Sequence, residues 1–257
     1  MGQITATLNK TIKEFLRQKT ILFWTIAWPI IWVLIGSFSF TENVPSEGIP
    51  YIKGAITISM TVFALMTAGM ANLPGNIAED RERGLLTKLM SMPIRPWRDL
   101  VGRILALLAF SSLAAISVVF VGYICGAGFS FTMIGFLQSI GFLLLISFAS
   151  AGIGMLIGTF VKHVHGAIMS GVGIAVVTAA LSGVMAPYSS LPWVLQSFAR
   201  IYPVSSANSS ITYLLVGEAY AGYSPLSESQ AALTIGVSLL LFVAGLIAYS
   251  RFCWRKG

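Results

Sequence analysis

Five charged residues in a row, Glu79-Asp80-Arg81-Glu82-Arg83, form the densest chemistry in this sequence. Gly84 follows, then Leu85, Leu86, Leu89 and Met90 fall on one face of a short helix closed by Pro93 and Pro96. The chemistry of such a segment is docking: an apolar knob with a charged flank fits a groove on a soluble partner. A loop that only marked membrane sidedness would need Lys and Arg, but neither the alternation of acids and bases nor the apolar face. Glu79, Asp80, Arg81, Glu82, Arg83, Leu85, Leu86, Leu89 and Met92 are expected to make this contact. Catalytic constellations are not visible. His163 and His165 stand two apart without a carboxylate or cysteine nearby, a poor metal site, so no metal and no catalytic residue is expected. The nine acids lie in loops or near the ends of apolar runs, which argues against a membrane-embedded enzyme using paired carboxylates. No Gly-Lys-Ser or Gly-Lys-Thr occurs, so any ATP would be held by another chain.

The elements that must position these residues follow from composition. Of 257 residues, 56% are hydrophobic and 10% charged, and the mean hydropathy is +0.84. A soluble domain carries roughly 25% charged residues to face water. The chain is therefore expected to be a polytopic membrane protein, and a soluble enzyme is excluded. A span needs about 20 apolar residues. Spans are expected at about 21–40, 54–73, 101–125, 134–160, 167–185 and 231–249. The third and fourth share a run of 58 residues without Asp, Glu, Lys or Arg, divided by Gly126-Ala127-Gly128 and Gly135. The docking segment, 76–100, joins the second span to the third.

Charge gives the sidedness. The net charge of +7 would suit a nucleic-acid partner in a soluble protein, but none is expected here. With six spans, 14 of the 16 Lys and Arg residues fall on one side, and only Lys53 and Arg200 on the other. The positive-inside rule then puts both termini in the cytoplasm. Cys125 and Cys253 lie at opposite faces of the bilayer and cannot pair within one chain. Residues 1–20 carry Ile4, Leu8, Ile12 and Phe15 at helical spacing, with Lys10, Lys13 and Arg17 elsewhere around the turn. This pattern fits an amphipathic helix at the cytoplasmic interface, its basic face toward anionic headgroups.

Three further features bear on the bundle. In the first span Trp24, Trp28 and Trp32 recur every four residues, and Pro29 is expected to kink the helix. Trp28 and Trp32 could line a hydrophobic substrate path or pack on a neighbour. Gly122/Gly126 and Gly154/Gly158 have the spacing of close helix contacts, more often internal than at a dimer seam. Residues 187–230 hold two apolar-rich pieces too short to span, 191–203 and 208–218, which fit short helices dipping into the outer leaflet. The Asn208-Ser209-Ser210 sequon within them is a chance match.

Ala78-Glu79-Asp80-Arg81-Glu82-Arg83-Gly84-Leu85-Leu86, Leu89 and Met92-Pro93 resemble the E-R-E-R-G-T-L-E-x-L-L-x-x-P-like stretch of ABC-2 type permeases, in their drug-resistance-type branch. Asp80 stands where that pattern has its first arginine, and Lys88 where an acid is common. The six-span plan, the N-terminal helix and the long outer segment starting Leu191-Pro192-Trp193 extend the resemblance over nearly the whole chain. It implies a single ABC-2 type transmembrane domain over 1–257. The fold class expected is an all-α polytopic membrane protein: six transmembrane helices, an N-terminal interfacial amphipathic helix, and short re-entrant outer helices between spans five and six. It further implies a cell-membrane exporter of drugs, lipids or similar amphipathic molecules. A separate ATP-binding cassette subunit, in two copies, would bind ATP and magnesium and pair with two permeases as homodimer or close heterodimer.

Two rival classes are weaker. A secondary ion-coupled carrier or channel usually keeps ionisable residues at mid-membrane, and no expected span places one near its centre. A polysaccharide- or glycolipid-exporting permease would carry an arginine-rich N-terminal signature that is not visible here.

Overall fold

The computed structural model describes residues 2–39, 45–91, 96–130 and 132–253. Met92 and Pro93 of the docking segment lie outside the described residues. Among those described there is helix and no strand, as hydrocarbon requires of a backbone that must satisfy its own hydrogen bonds. An N-terminal helix, α1 (Gln3–Arg17), precedes the first span, α2 (Lys19–Ser39). The second span is α3 (Ile49–Glu82), followed by the short α4 (Leu85–Met90) and by α5 (Pro96–Ile124), α6 (Met133–Phe160) and α7 (Val164–Leu181). A hairpin of α8 (Trp193–Ile201) and α9 (Pro203–Leu215), the single turn α10 (Glu218–Ala221) and the last span, α11 (Glu228–Cys253), complete the chain. Six of these helices, α2, α3, α5, α6, α7 and α11, are long and apolar enough to cross a membrane.

The core is built around α3, which is buried over most of its length, while the other five keep apolar faces turned outward. Met66, Met70, Ile146, Ala175 and Val204 meet in the largest apolar cluster, joining α3 to α6, α7 and α9. The glycines serve internal packing. A methyl on Gly154 of α6 would lie 2.0 Å from the carbonyl oxygen of Gly69, and one on Gly171 of α7 would lie 1.9 Å from that of Met70. Gly158 faces Pro74 and Ile77, and Gly122 faces Thr57. Gly126 differs: it turns the chain after α5 with φ +87°.

Two spans differ from their expected form. Pro29 does not simply kink α2. A π-turn at Phe23–Ala27 ends two residues before it, and the widened turn takes up the hydrogen bond that proline cannot make. The same arrangement recurs in α3, where a π-turn at Ala68–Asn72 ends two residues before Pro74. Helix therefore continues through Pro74 to Glu82, well beyond the expected end of the span near residue 73. Glu79 to Glu82 ride on a rigid extension of the central helix and are not in a loop. The extension stops where Gly84 adopts φ +66°, a left-handed conformation that favours glycine, and α4 turns away.

Candidate functional site

Below the bundle, on the side of α1 and the end of α3, charged groups are gathered in an enclosed network. Arg103, 1% exposed, stands one turn after Asp99 on α5. Its Nε donates to Asp99 Oδ2 at 2.8 Å, and its two terminal nitrogens donate to Asn76 Oδ1 and Asp80 Oδ2 on α3. The other oxygen of Asp80 accepts from Lys10 Nζ of α1. Asp99 accepts further hydrogen bonds from Thr7 Oγ1 at 3.2 Å and from Tyr249 Oη of α11 at 2.9 Å. Asn76 Nδ2 donates to Glu14 Oε2 at 2.6 Å, and Gln18 Nε2 to Glu79 Oε2 at 2.6 Å. Arg83 pairs with Glu79 and approaches Glu14 at 3.8 Å. Burial holds the Glu14 carboxyl above its ordinary pKa; Lys10 opposes that shift, while Asp80 and Glu79 add to it. The network ties α1, α3, α5 and α11 together, because a buried charge is tolerable only with every partner in place. Beside it, Phe15 of α1 packs on Phe110 of α5 with ring centroids 5.4 Å apart.

Higher in the bundle the two π-turns face each other. Asn72 Nδ2 donates to Thr25 Oγ1 at 3.0 Å, and the Thr25 hydroxyl lies 3.4 Å from Asn72 Oδ1; both residues are fully buried. Gly154 of α6 and Gly171 of α7 press on the same stretch of α3, so with α2 the widened turn is held by three helices.

At the far end lies a cavity of about 420 Å³ between α2, α3 and the α9–α10 region. Trp32, Tyr188, Tyr220, Ile52, Ile56 and Met60 supply apolar and aromatic wall. Ser59 of α3 with Asn208, Ser209 and Thr212 of α9 supply a polar edge. Asn208 Nδ2 donates to Ser59 Oγ at 3.4 Å, while its buried Oδ1 has no partner among the described residues. The tryptophans form a continuous stack leading to this place, with Trp24–Trp28 centroids 5.5 Å and Trp28–Trp32 centroids 6.1 Å apart.

A family model described as ABC-2 type transporter matches residues 2–216, from α1 through α9. The chain belongs to the ABC-2 type transporter family. A search of curated proteins returns no match. The protein is thus a multi-pass membrane component of an ATP-binding-cassette transporter, the part that pairs with an ATP-binding subunit.

In this permease the residues expected to dock divide into two sets. Asp80 is fully buried between Lys10 of α1 and Arg103 of α5, and Glu79, nearly buried, is held by Gln18 and Arg83. Arg81 donates to the carbonyls of Thr159 at 3.2 Å and Val161 at 3.4 Å, capping the end of α6, and to Cys253 Sγ at 3.0 Å. Glu82 Oε1 accepts from the backbone N–H of Val164 at 3.0 Å, capping the start of α7, with His163 Nδ1 3.5 Å away. Outward are Glu82 and Arg83, their side chains 46% and 64% exposed, joined by Lys88, which was not among the residues expected to dock. Leu85 and Leu89 are half-buried, whereas Leu86 is buried. In α1, Lys10 and Phe15 turn inward, and Lys13 and Arg17 stay exposed. Trp28 and Trp32 are half-buried; only Trp32 lines the cavity, while the buried indole N–H of Trp28 has no partner among the described residues.

Sequence reasoning missed Glu14, Asn76, Asp99, Arg103 and Tyr249. Asp99 and Arg103, spaced i, i+4 at the start of an apolar run, were the available signal. Arg103 counts as a sidedness charge in a linear reading, which cannot show that Asp80 comes up beneath it.

Proposed function

We propose that this permease is the membrane part of an ATP-driven exporter, with residues 79–92 receiving force from a separate ATP-binding cassette subunit. The observation that carries the reading is the division within that segment. Glu79 to Glu82 fan around the end of α3 and fasten it to α1, α5, α6 and α7, while Arg83 and Lys88, next along the chain, remain exposed. A push on α4 therefore reaches several helices at once through rigid extension rather than loop. ATP and magnesium belong to the partner subunit. Two copies of each component, homodimeric or closely heterodimeric in the permease, make the transporter.

The charged end is then cytoplasmic, with both termini there and α1 lying at the interface, Lys13 and Arg17 toward anionic headgroups. The α8–α9 hairpin enters from the outer side of the cell membrane as a re-entrant pair. An amphipathic substrate, a drug or lipid, passes Trp28 and Trp32 toward the cavity. Glu79–Leu89 together with Met92 form the coupling element, the inward-facing members transmitting and the outward-facing ones touching the partner.

Co-expression with the ATP-binding subunit encoded beside this chain, followed by affinity purification, tests the pairing. The intact permease should retain the subunit, and Arg83→Glu with Lys88→Glu should lower recovery about fivefold, on the order of 1 kcal/mol for two exposed pairs. The melting temperature of the permease alone should fall only slightly, since Arg83 is largely exposed although it pairs with Glu79 and approaches Glu14. Full recovery with the double variant would remove residues 79–92 from the interface.

A further inference from the structure

The cavity at the hairpin end carries information about charge. None of the described residues that line it is Asp, Glu, Lys, Arg or His. Arg200 is not in the wall but lies behind the lining residue Tyr188. It donates to Tyr188 Oη at 2.7 Å and stacks over the Tyr188 and Tyr223 rings at 5.7 and 5.1 Å. Lys53 is likewise engaged, donating to the Cys125 carbonyl at 2.9 Å. Glu47 belongs to a shallower neighbouring depression that shares Tyr220. An ion entering the cavity would lose part of its water and meet no opposite charge in the wall itself, Arg200 being engaged behind Tyr188, a net cost.

Polarity in the cavity is neutral: Ser189, Tyr188 and Tyr220 line it together with polar groups of α3 and α9. Ser59, Ser209 and Thr212 offer hydroxyls, and Asn208 offers an amide, all from α3 and α9. Hydroxyls and amides both donate and accept, and they bind a neutral alcohol or amide without a charge penalty. Ile52 and Ile56 stand on the same face of α3 as Ser59, and Trp32 and Tyr220 add aromatic wall. The volume of about 420 Å³ falls within the range of small-molecule sites. α9 explains how these polar groups come to lie in an apolar bundle: it is a short helix with Ser205, Ser206, Asn208, Ser209, Ser210 and Thr212 all buried. That burial also removes the Asn208-Ser209-Ser210 sequon from the surface.

We infer that this cavity is a binding site for an uncharged amphipathic molecule bearing hydroxyl or amide groups, polar end against Ser59, Asn208 and Thr212 and apolar body against Trp32 and Ile56. The inference rests on the exporter reading only in making this molecule the cargo; the site itself is independent of coupling.

Photo-crosslinking on the permease in phosphatidylcholine nanodiscs, without an ATP-binding subunit, tests it. The probes are a diazirine-bearing monoacylglycerol, an acylcholine and a fatty acid of the same chain length, and labelled peptides are located by mass spectrometry. The monoacylglycerol should label residues 52–60 and 208–222 saturably, about tenfold above either ionic probe, equivalent to ~1.4 kcal/mol. Ala55→Trp, which fills the cavity, should abolish that labelling. Ser59→Asp should invert the preference toward acylcholine, a gain that misfolding cannot imitate. Equal labelling by all three probes, or no inversion in Ser59→Asp, overturns the inference. A permease that shows the expected pattern yet never retains an ATP-binding subunit keeps the site and loses the exporter reading.

Discussion

Arg103 shows how a single residue can hold four helices. Its guanidinium lies between Asp99 and Asp80, and Asp80 in turn holds Lys10. Arg103→Met would leave Asp99 with only neutral donors, Thr7 and Tyr249, and Asp80 with Lys10 alone. The expected loss is about 3–5 kcal/mol, read as a lower melting temperature in detergent or nanodiscs. Adding Asp99→Asn should restore part of it, because the unpaired charge is then gone. Glu14 gives a second prediction. Its folded pKa is raised from 4.5, so the folded state binds the proton more tightly than the unfolded one. The resulting stabilisation is complete below about pH 4.5 and is lost as pH rises through the raised value. Glu14→Gln should therefore flatten the dependence of melting temperature on pH and raise it most on the alkaline side, with little gain near pH 4.5. A steeper dependence in the variant would contradict the assignment. The sequence displayed these charges but not their partners: Lys10 and Asp80 are 70 positions apart, and Asp99 and Tyr249 are 150 apart. Only tertiary folding brings them together.

At the scale of elements, the paired π-turns decide where α3 can carry charge. Without the turn at Ala68–Asn72, Pro74 would interrupt the helix, and Glu79–Glu82 would not reach the ends of α6 and α7. Gly171→Ala tests the clamp, since its methyl would lie 1.9 Å from the Met70 carbonyl oxygen. Forcing α7 from α3 should cost about 1–3 kcal/mol. Gly173→Ala, two residues on and with nothing within 4 Å, is the control and should be neutral or stabilising by up to ~1 kcal/mol. Equal effects would mean that the contact with the π-turn does not matter. Spans were legible from apolar run length, because bilayer thickness imposes it. The continuation of α3 past Pro74 was not, since a proline followed by charges reads as the end of a helix. The direction of Asp80 was hidden for the same reason: helical phase across a π-turn slips by about one residue relative to regular α-helix.

For the whole molecule, the proposed exporter has a cytoplasmic end and an external end. In a background carrying Cys125→Ser and Cys253→Ser, Lys88→Cys should react with a membrane-impermeant maleimide only from the cytoplasmic side, and Glu228→Cys only from outside. Both positions are exposed, so labelling of each from the opposite face would invert the topology. Composition alone placed the chain in a membrane, and 14 of 16 basic residues on one side are the ground for the direction that this labelling tests. The cavity was not legible, because its polar edge comes from α3 and α9, about 150 residues apart in sequence. The central claim is that energy enters at α4 from another chain. Proteoliposomes holding the permease with its ATP-binding subunit should show vanadate-sensitive ATP hydrolysis together with ATP-dependent movement of a fluorescent neutral lipid. Arg83→Glu with Lys88→Glu should abolish the movement. Lipid movement driven by an ion gradient without ATP, or unaffected by the double variant, would contradict the account.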